Sequence, residues 1–223
     1  MQRYCLRLSF ITLFLLLPVV AQAQAFSEDC NLTFQGKYRK AVKNRKAADG
    51  AGYKVHNDGN PISVKQWFTL ACGLDPKVKG KSILTGTKTL AGVETIQVTL
   101  EGFLLGAKFE RHVKKGDNAD NDFHLEMSDS KKWNSKHVIV EVPPGAEYCE
   151  ARQQIFALIK AAGCGGDKCI FKTPTKIQVT GFVFLDGAHG KTCKIKRGME
   201  VKGVSGAEGA WEIHPVLQVK KIE

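Results

Sequence analysis

The chain has 223 residues, 43% of them hydrophobic, and a formal net charge of +11. That length suits one domain, or one domain with an N-terminal extension, able to bury a core of its own, and the lack of any internal repeat or low-complexity run excludes a solenoid or fibrous array. So basic a balance attracts anionic surfaces such as nucleic acid, acidic glycans, lipopolysaccharide or cell-wall polymers, unless it serves solubility alone.

The first stretch, MQRYCLRLSFITLFLLLPVVAQAQAFSEDC, has a positive start at Arg3 and Arg7, an apolar run from Leu8 to Val20 and a small-residue AQA site. This is the three-part pattern of a secretory signal peptide, assigned to residues 1–23. The apolar run is shorter than the ~20 residues a bilayer span needs, and Cys5 precedes it, where a lipid-anchoring cysteine does not sit. The pattern predicts export to the periplasm or the extracellular space, with no transmembrane segment in the mature chain. Arg3 and Arg7 leave with a leader that carries no acid, so the remainder stays strongly basic. Cys30, Cys72, Cys149, Cys164, Cys169 and Cys193 remain. An even set in an exported chain predicts disulfides, with the pairing open. The CGGDKC stretch can close a tight loop, and no second cysteine pair of matching spacing supports zinc there.

Residues 24–92 read as a basic, partly helical N-terminal extension. GKYRKAVKNRKAADGAGYK carries Lys37, Arg39, Lys40, Lys43, Arg45, Lys46 and Lys54 against Asp49 alone. Such a run is a short helix with a basic face or a solvated arm, and these cations are candidate contacts for an anionic ligand. In NPISVKQWFTLACG, Asn60 is placed to cap a helix, Pro61 to sit in its first turn and Gly73 to end it.

Residues 93–223 read as a barrel. VETIQVTLEGFLLGAKFERH is a long strand with Gly102 and Gly106 at expected bends. GDNADND is a polar turn; it shares the composition of a calcium loop but lacks the spacing and closing Glu of an EF-hand. DFHLEMSD alternates, with Phe123, Leu125 and Met127 inward and His124, Glu126 and Ser128 outward. KHVIVEVPP is a third strand. AEYCEARQQIFALIKAAGCGG is a helix whose stripe is Ala151, Ile155, Leu158, Ile159 and Ala162. TKIQVTGFVFLDGAHGK is a fourth strand with Gly181 inside it, and AWEIHPVLQVKKI a fifth. The fold class is therefore mainly β, an OB-fold-like five-stranded barrel with one helix between strands three and four. In that arrangement strand five is expected beside strands one and three.

The segments DNDFHLEMSD, HVIVEVPPGAEYC, VTGFVFLDGAH and WEIHPVLQV resemble a pattern in uncharacterised exported bacterial proteins. There a D-x-D-x-H-L strand, a V-E-x-P strand and a terminal E-[LI]-H-P-V strand recur in that order. The resemblance covers roughly residues 93–222. It implies fold and compartment and transfers no catalytic residues.

Polar faces of strands two, three and five bring together His124, Glu126, Glu141, Glu212 and His214, with Asp186 and His189 just past strand four. Imidazole and carboxylate on one wall suit a divalent metal such as zinc or manganese, and His124, Glu126 or His214 are candidates for general acid–base work. The competing reading is a set of cross-strand pairs on a wet face. Arg39, Arg45, Arg111, Arg152 and Arg197 form no recognisable nuclease motif, and no G-x-S-x-G elbow is present. For a nucleic-acid surface the candidates are Phe109, Arg111, Phe123, Lys131, Lys132 and Trp133, although Asp117, Asp120 and Asp122 would repel phosphate nearby. The sequence leans away from an enzyme and towards a binding module for an anionic polymer or cell-surface ligand. A metal-dependent, nuclease-like hydrolase is the alternative, and an interaction module of an exported assembly the third reading.

Overall fold

The computed structural model describes residues 30–34, 39–45, 53–78, 90–111, 120–187, 193 and 209–222. The leader, Lys37, Lys46, Asp117, His189 and Arg197 lie outside the described residues. In chain order the elements are α1 (Lys40–Lys43), β1 (Lys54–Val55), β2 (Ile62–Ser63), α2 (Val64–Val78), β3 (Ile96–Phe109), β4 (Phe123–Ser128), β5 (Val138–Val142), α3 (Cys149–Ala161), β6 (Lys168–Leu185) and β7 (Trp211–Lys221).

Five of these strands close a ring. β3, β4 and β5 form an antiparallel meander, β5 pairs parallel with β7, β7 antiparallel with β6, and β6 antiparallel with β3. The closing strand β7 thus lies between β5 and β6, not beside β3 as the sequence suggested. β6 takes the place next to β3 because it starts at Lys168 and runs 18 residues, long enough to pair with β3 from Gln97 to Lys108. The short strands β1 and β2 add in parallel to β3. α3 crosses between the third and fourth ring strands, as its periodicity predicts: Ala151, Ile155 and Ile159 are buried, while Ala162 is exposed past the helix end.

Two glycines are fixed by close approach. The register of β3 shifts between Leu104 and Gly106 against both neighbours, and a Cβ on Gly102 would lie 2.9 Å from the Ser128 carbonyl oxygen. A Cβ on Gly181 would lie 2.5 Å from the Pro215 carbonyl oxygen and 2.6 Å from Ile213 Cγ2, so β6 and β7 meet there with no room for a side chain.

α2 departs from its expected bounds. Residues 62–63 join the sheet, and the helix runs past Gly73 and through Pro76 to Val78. Its first N–H groups are satisfied from across the fold: Asp129 accepts from Val64 at 2.8 Å and from Lys65 at 2.7 Å. An aspartate 65 positions away does the work expected of Asn60, beside a local capping box in which Ser63 Oγ accepts from the Gln66 N–H at 3.2 Å and Gln66 Oε1 from the Ser63 N–H at 2.8 Å.

The core packs Leu125 and Met127 of β4, Val138, Val140 and Val142 of β5, Val183 and Leu185 of β6, and Trp211 and Ile213 of β7 against α2 and α3. Val216, rather than Pro215, continues this face of β7. The cysteines pair as Cys30–Cys149, Cys72–Cys193 and Cys164–Cys169. The first ties the N-terminal segment to the start of α3. The second ties α2 to Cys193, in the connection between β6 and β7, and the third closes the CGGDKC loop.

Glu94 gathers three parts of the chain. Its buried carboxylate accepts both Arg39 guanidinium nitrogens at 2.6 and 2.7 Å and the N–H groups of Leu90 and Leu185. Removing one partner of such a pair leaves an uncompensated buried charge, at a cost of about 3–5 kcal/mol. Glu94→Leu and Arg39→Met should each lower stability by that order in chemical denaturation, and the double variant should lose far less than their sum. Gly181→Ala should cost about 1–3 kcal/mol by overpacking β6 against β7, read in the same assay.

Candidate functional site: a buried charged wall

Each ring strand alternates, so the face opposite the core carries a second set of residues: His124 and Glu126 on β4, Ile139 and Glu141 on β5, Glu212 and His214 on β7, and Phe182 and Phe184 on β6. The sequence places the polar members of this set on a wet face. They are buried instead: Glu126, Glu212 and His214 are 0% exposed, His124 2% and Glu141 5%.

The cover is the N-terminal segment. Arg39 lies 5.1 Å from the Phe184 ring centroid, Lys43 5.9 Å from the same ring, and Arg45 5.0 Å from the Phe182 ring. Tyr53 stacks on Phe182 at 4.1 Å. Arg45 donates to the carbonyls of Val42, Glu94 and Val183, and Tyr148 donates its hydroxyl to the Arg45 carbonyl. The expectation of a solvated arm therefore fails for Arg39, Lys43 and Arg45, whose charges are consumed inside; Lys40 and Lys54 are exposed.

At the centre of the wall Glu141 holds two imidazoles. Its Oε1 meets His124 Nδ1 at 3.1 Å, across the ladder pair that β4 and β5 form at these residues. Its Oε2 meets His214 Nδ1. The Nε2 atoms of both rings are buried without a hydrogen-bond partner among the described residues. Lys43 Nζ donates to Asp120 at 2.6 Å and lies 3.6 Å from Glu141. Asp122 completes the group: its carboxyl is fully buried, and neither oxygen has a hydrogen-bond partner among the described residues. One ligand atom each from Asp122, Glu141 and His214 lies within 4.8 Å of the others, an arrangement that could hold a divalent cation.

The electrostatics follow from this packing. Burial pushes the Asp122 carboxyl well above its ordinary range; Glu141, Glu110 and Asp120 reinforce the shift, and Lys43 offsets it only in part. Burial likewise pushes Asp120 up to about 6, against the pull of Lys43. Burial also opposes ionisation of Glu141, but Lys43, His214 and His124 outweigh it and hold this carboxyl well below the usual range. His214 is lowered by burial, which exceeds the opposing pull of Glu141. Lys43 is penalised by burial, yet Glu141, Asp122, Asp120 and Glu212 together raise it.

The expected cluster is thus partly divided. His124, Glu141 and His214 come together, and Glu212 lies close enough to act on Lys43. Glu126 is drawn away to His137, whose Nε2 lies 2.5 Å from its carboxylate, both side chains being fully buried. His137 Nδ1 faces the Ser135 carbonyl at 3.0 Å. Asp186 is buried at the end of β6. The sequence reading missed Asp122, Asp120 and His137 as members of the wall. A signal was present for Asp122, because Asp122, His124 and Glu126 fall at steps of two and so share one side of the chain.

The remaining ligand candidates separate into exposed and buried sets. Arg111, Lys131, Lys132 and Trp133 are exposed, whereas Phe109 and Phe123 are buried, with the Arg152 guanidinium over both rings. Trp133, 39% exposed, donates its indole N–H to the Phe171 carbonyl at 3.2 Å, and Lys131 lies 5.1 Å from the Phe103 ring centroid. The same β4–β5 turn borders a groove of about 640 Å³ lined by Lys65, Phe68 and Thr69 of α2 and by Ser128, Asp129, Ser130, Ser135 and Lys136. Among the described residues no helix is long and apolar enough to cross a membrane.

No family model matches the chain, and no curated protein does. Among solved structures, a chain from the crystal structure of yeast Stn1 and Ten1 is similar over 77% of this chain, at 9% identity and a TM-score of 0.30. This chain covers 66% of that chain, a little under two thirds of its length. So distant a likeness carries no inference about the wall or the groove.

The sign of the Asp122 shift gives a test. A carboxyl whose value is raised by folding contributes stability that is present below its unfolded value, about 3.9, and lost as pH rises through the folded value. Asparagine keeps the shape and has no such loss. In chelator-treated protein, Asp122→Asn should therefore melt above the parent at pH 7.5, and the difference should shrink towards pH 4; a lower melting temperature at pH 7.5 would contradict the placement of this carboxyl.

Proposed function

We propose that the protein is an exported, non-catalytic binding module, built on an OB-type barrel, that takes an anionic polymer such as nucleic acid or an acidic glycan. The ring order, with a helix between the third and fourth strands, is the order of an OB-fold. The leader pattern and the paired cysteines suit an oxidising compartment. OB barrels bind across strands two and three and the adjoining loops. Here the wall formed by those strands is occupied by the chain's own residues 39–45, so the proposed contact moves to the β4–β5 turn.

The observation that carries this reading is Trp133. It is an exposed ring held by its own indole hydrogen bond, with Lys131 and Lys132 beside it and Lys65 and Lys136 along the adjoining groove. A fixed aromatic among cations is the combination used to stack bases or sugars while neutralising their charge. Asp129 lines the groove too, but its carboxylate is directed onto the first N–H groups of α2, whose positive end offsets its charge. Hydrolysis on the wall is the weaker reading, since His124, Asp122 and His214 are at most 2% exposed.

Binding of a labelled single-stranded oligonucleotide and of a sulfated glycan, each at two salt concentrations, tests the proposal and separates the two sources of anion. Affinity should fall steeply as salt rises. Lys131→Glu with Lys132→Glu should weaken it, and Trp133→Ala should cost roughly tenfold or more on the scale of ~1–3 kcal/mol per stacked base. Binding that ignores both changes, or no binding at low salt, would reject the site.

A further inference from the structure

We propose that Asp122, Glu141 and His214 form an internal site for one divalent transition-metal ion, zinc in preference to manganese, for whose carboxylates the Lys43 ammonium competes. Two independent observations converge. The first is geometric: one ligand atom from each of the three residues lies within 4.8 Å of the others. They come from three places in the chain, the residue preceding β4, the β5 strand and the β7 strand. The second is the state of Asp122. A fully buried carboxyl with neither oxygen hydrogen-bonded among the described residues is costly, and a bound ion is one of the few things that explains such a group.

Charge balance points the same way. Lys43 is drawn by Glu141, Asp122, Asp120 and Glu212, and its single ammonium is spent on Asp120 and Glu141, leaving Asp122 with no cation in contact among the described residues. Its nearest contact is Asp120 at 2.6 Å, with Glu141 at 3.6 Å. An ion on Asp122, Glu141 and His214 would share Glu141 with the ammonium and leave Asp120 to it. Two carboxylates with an imidazole suit zinc or manganese better than calcium or magnesium, which prefer larger all-oxygen shells. The general order of divalent affinities places zinc above manganese.

His124 is a positioning residue here. Its Nδ1 engages the Glu141 oxygen that does not face His214, the arrangement by which an outer group orients a ligand. Each proposed ligand is at most 5% exposed. The ion would therefore pin β5 and β7 to the start of β4 as a structural centre and would not present an open coordination position to substrate.

The test uses the purified full chain, stripped with chelator and titrated with zinc chloride, followed by calorimetry and by melting temperature. One zinc per chain should bind and raise the melting temperature. Asp122→Asn, an isosteric change expected to leave the metal-free fold intact, should abolish that rise, as should His214→Gln. His124→Gln should weaken affinity about 10–100-fold without changing the stoichiometry. Lys43→Met should tighten binding. A zinc-dependent rise that appears only in Lys43→Met and is lost on adding Asp122→Asn also supports the proposal. No rise in either the parent or Lys43→Met would overturn it, as would a rise that survives Asp122→Asn. Unchanged affinity in Lys43→Met would overturn the competition.

Discussion

The fold depends on how one wall of acids and imidazoles is kept out of water. Glu141, Asp122, Asp120 and Glu212 sit together on the side of the ring opposite its core, and carboxylates in that position are unstable unless countered. The counter-charges come from the N-terminal segment. Lys43 enters the cluster, Arg39 binds Glu94, and Arg45 reaches the carbonyls of Glu94 and Val183. Phe182 and Phe184 give the same cations aromatic faces to lie on, which lowers the cost of desolvating them. The Cys30–Cys149 bond holds the start of this segment against α3. The segment and the wall are therefore mutually dependent: neither is a tolerable surface without the other.

This dependence links the two ends of the molecule's logic. The ring closes through β6, whose end at Leu185 is tied to Glu94 and Arg39 by hydrogen bonds. The same residues that finish the ring also seat its cover. A wall that would otherwise be an open face of the ring becomes a second interior, stabilised by ion pairs and cation–π contacts where the first is stabilised by apolar packing. The β4–β5 turn carries Trp133 on the rim, outside both interiors.

Much of the ring was legible from alternation and periodicity alone. Phe123, Leu125 and Met127 face the core, α3 buries Ala151, Ile155 and Ile159 of its predicted stripe, and CGGDKC closes on itself. Alternation says which residues share a face, but not what covers that face. His124, Glu141, Glu212 and His214 were placed together correctly and taken as wet, because the cover comes from a segment that reads as a solvated charge run. The α2 boundary was missed for a related reason: its cap is Asp129, supplied by a turn after β4, and tertiary contact overrode the signals at Asn60 and Gly73. Asp122 was hidden by its neighbours, since an Asp- and Asn-rich stretch reads as a turn, and only its spacing from His124 marks it as part of the wall.

The division of labour between the two basic residue types decides what the surface can recognise. Arg39, Arg45 and Arg152 are all buried, and each spends its planar fork on carbonyls or a carboxylate while lying over an aromatic ring. These are the demands that guanidinium geometry meets and an ammonium does not. Arg111 is exposed, and the cations around the β4–β5 turn and its groove are lysines. An anion at the proposed contact would meet ammonium point charges and a fixed aromatic plane, without the bidentate forks that read one phosphate or carboxylate geometry against another. The net charge of the chain therefore overstates its selective power. Its most discriminating cations are committed to holding the wall closed, and the proposed rim contact keeps lysines, which respond to charge density more than to the shape of one ligand.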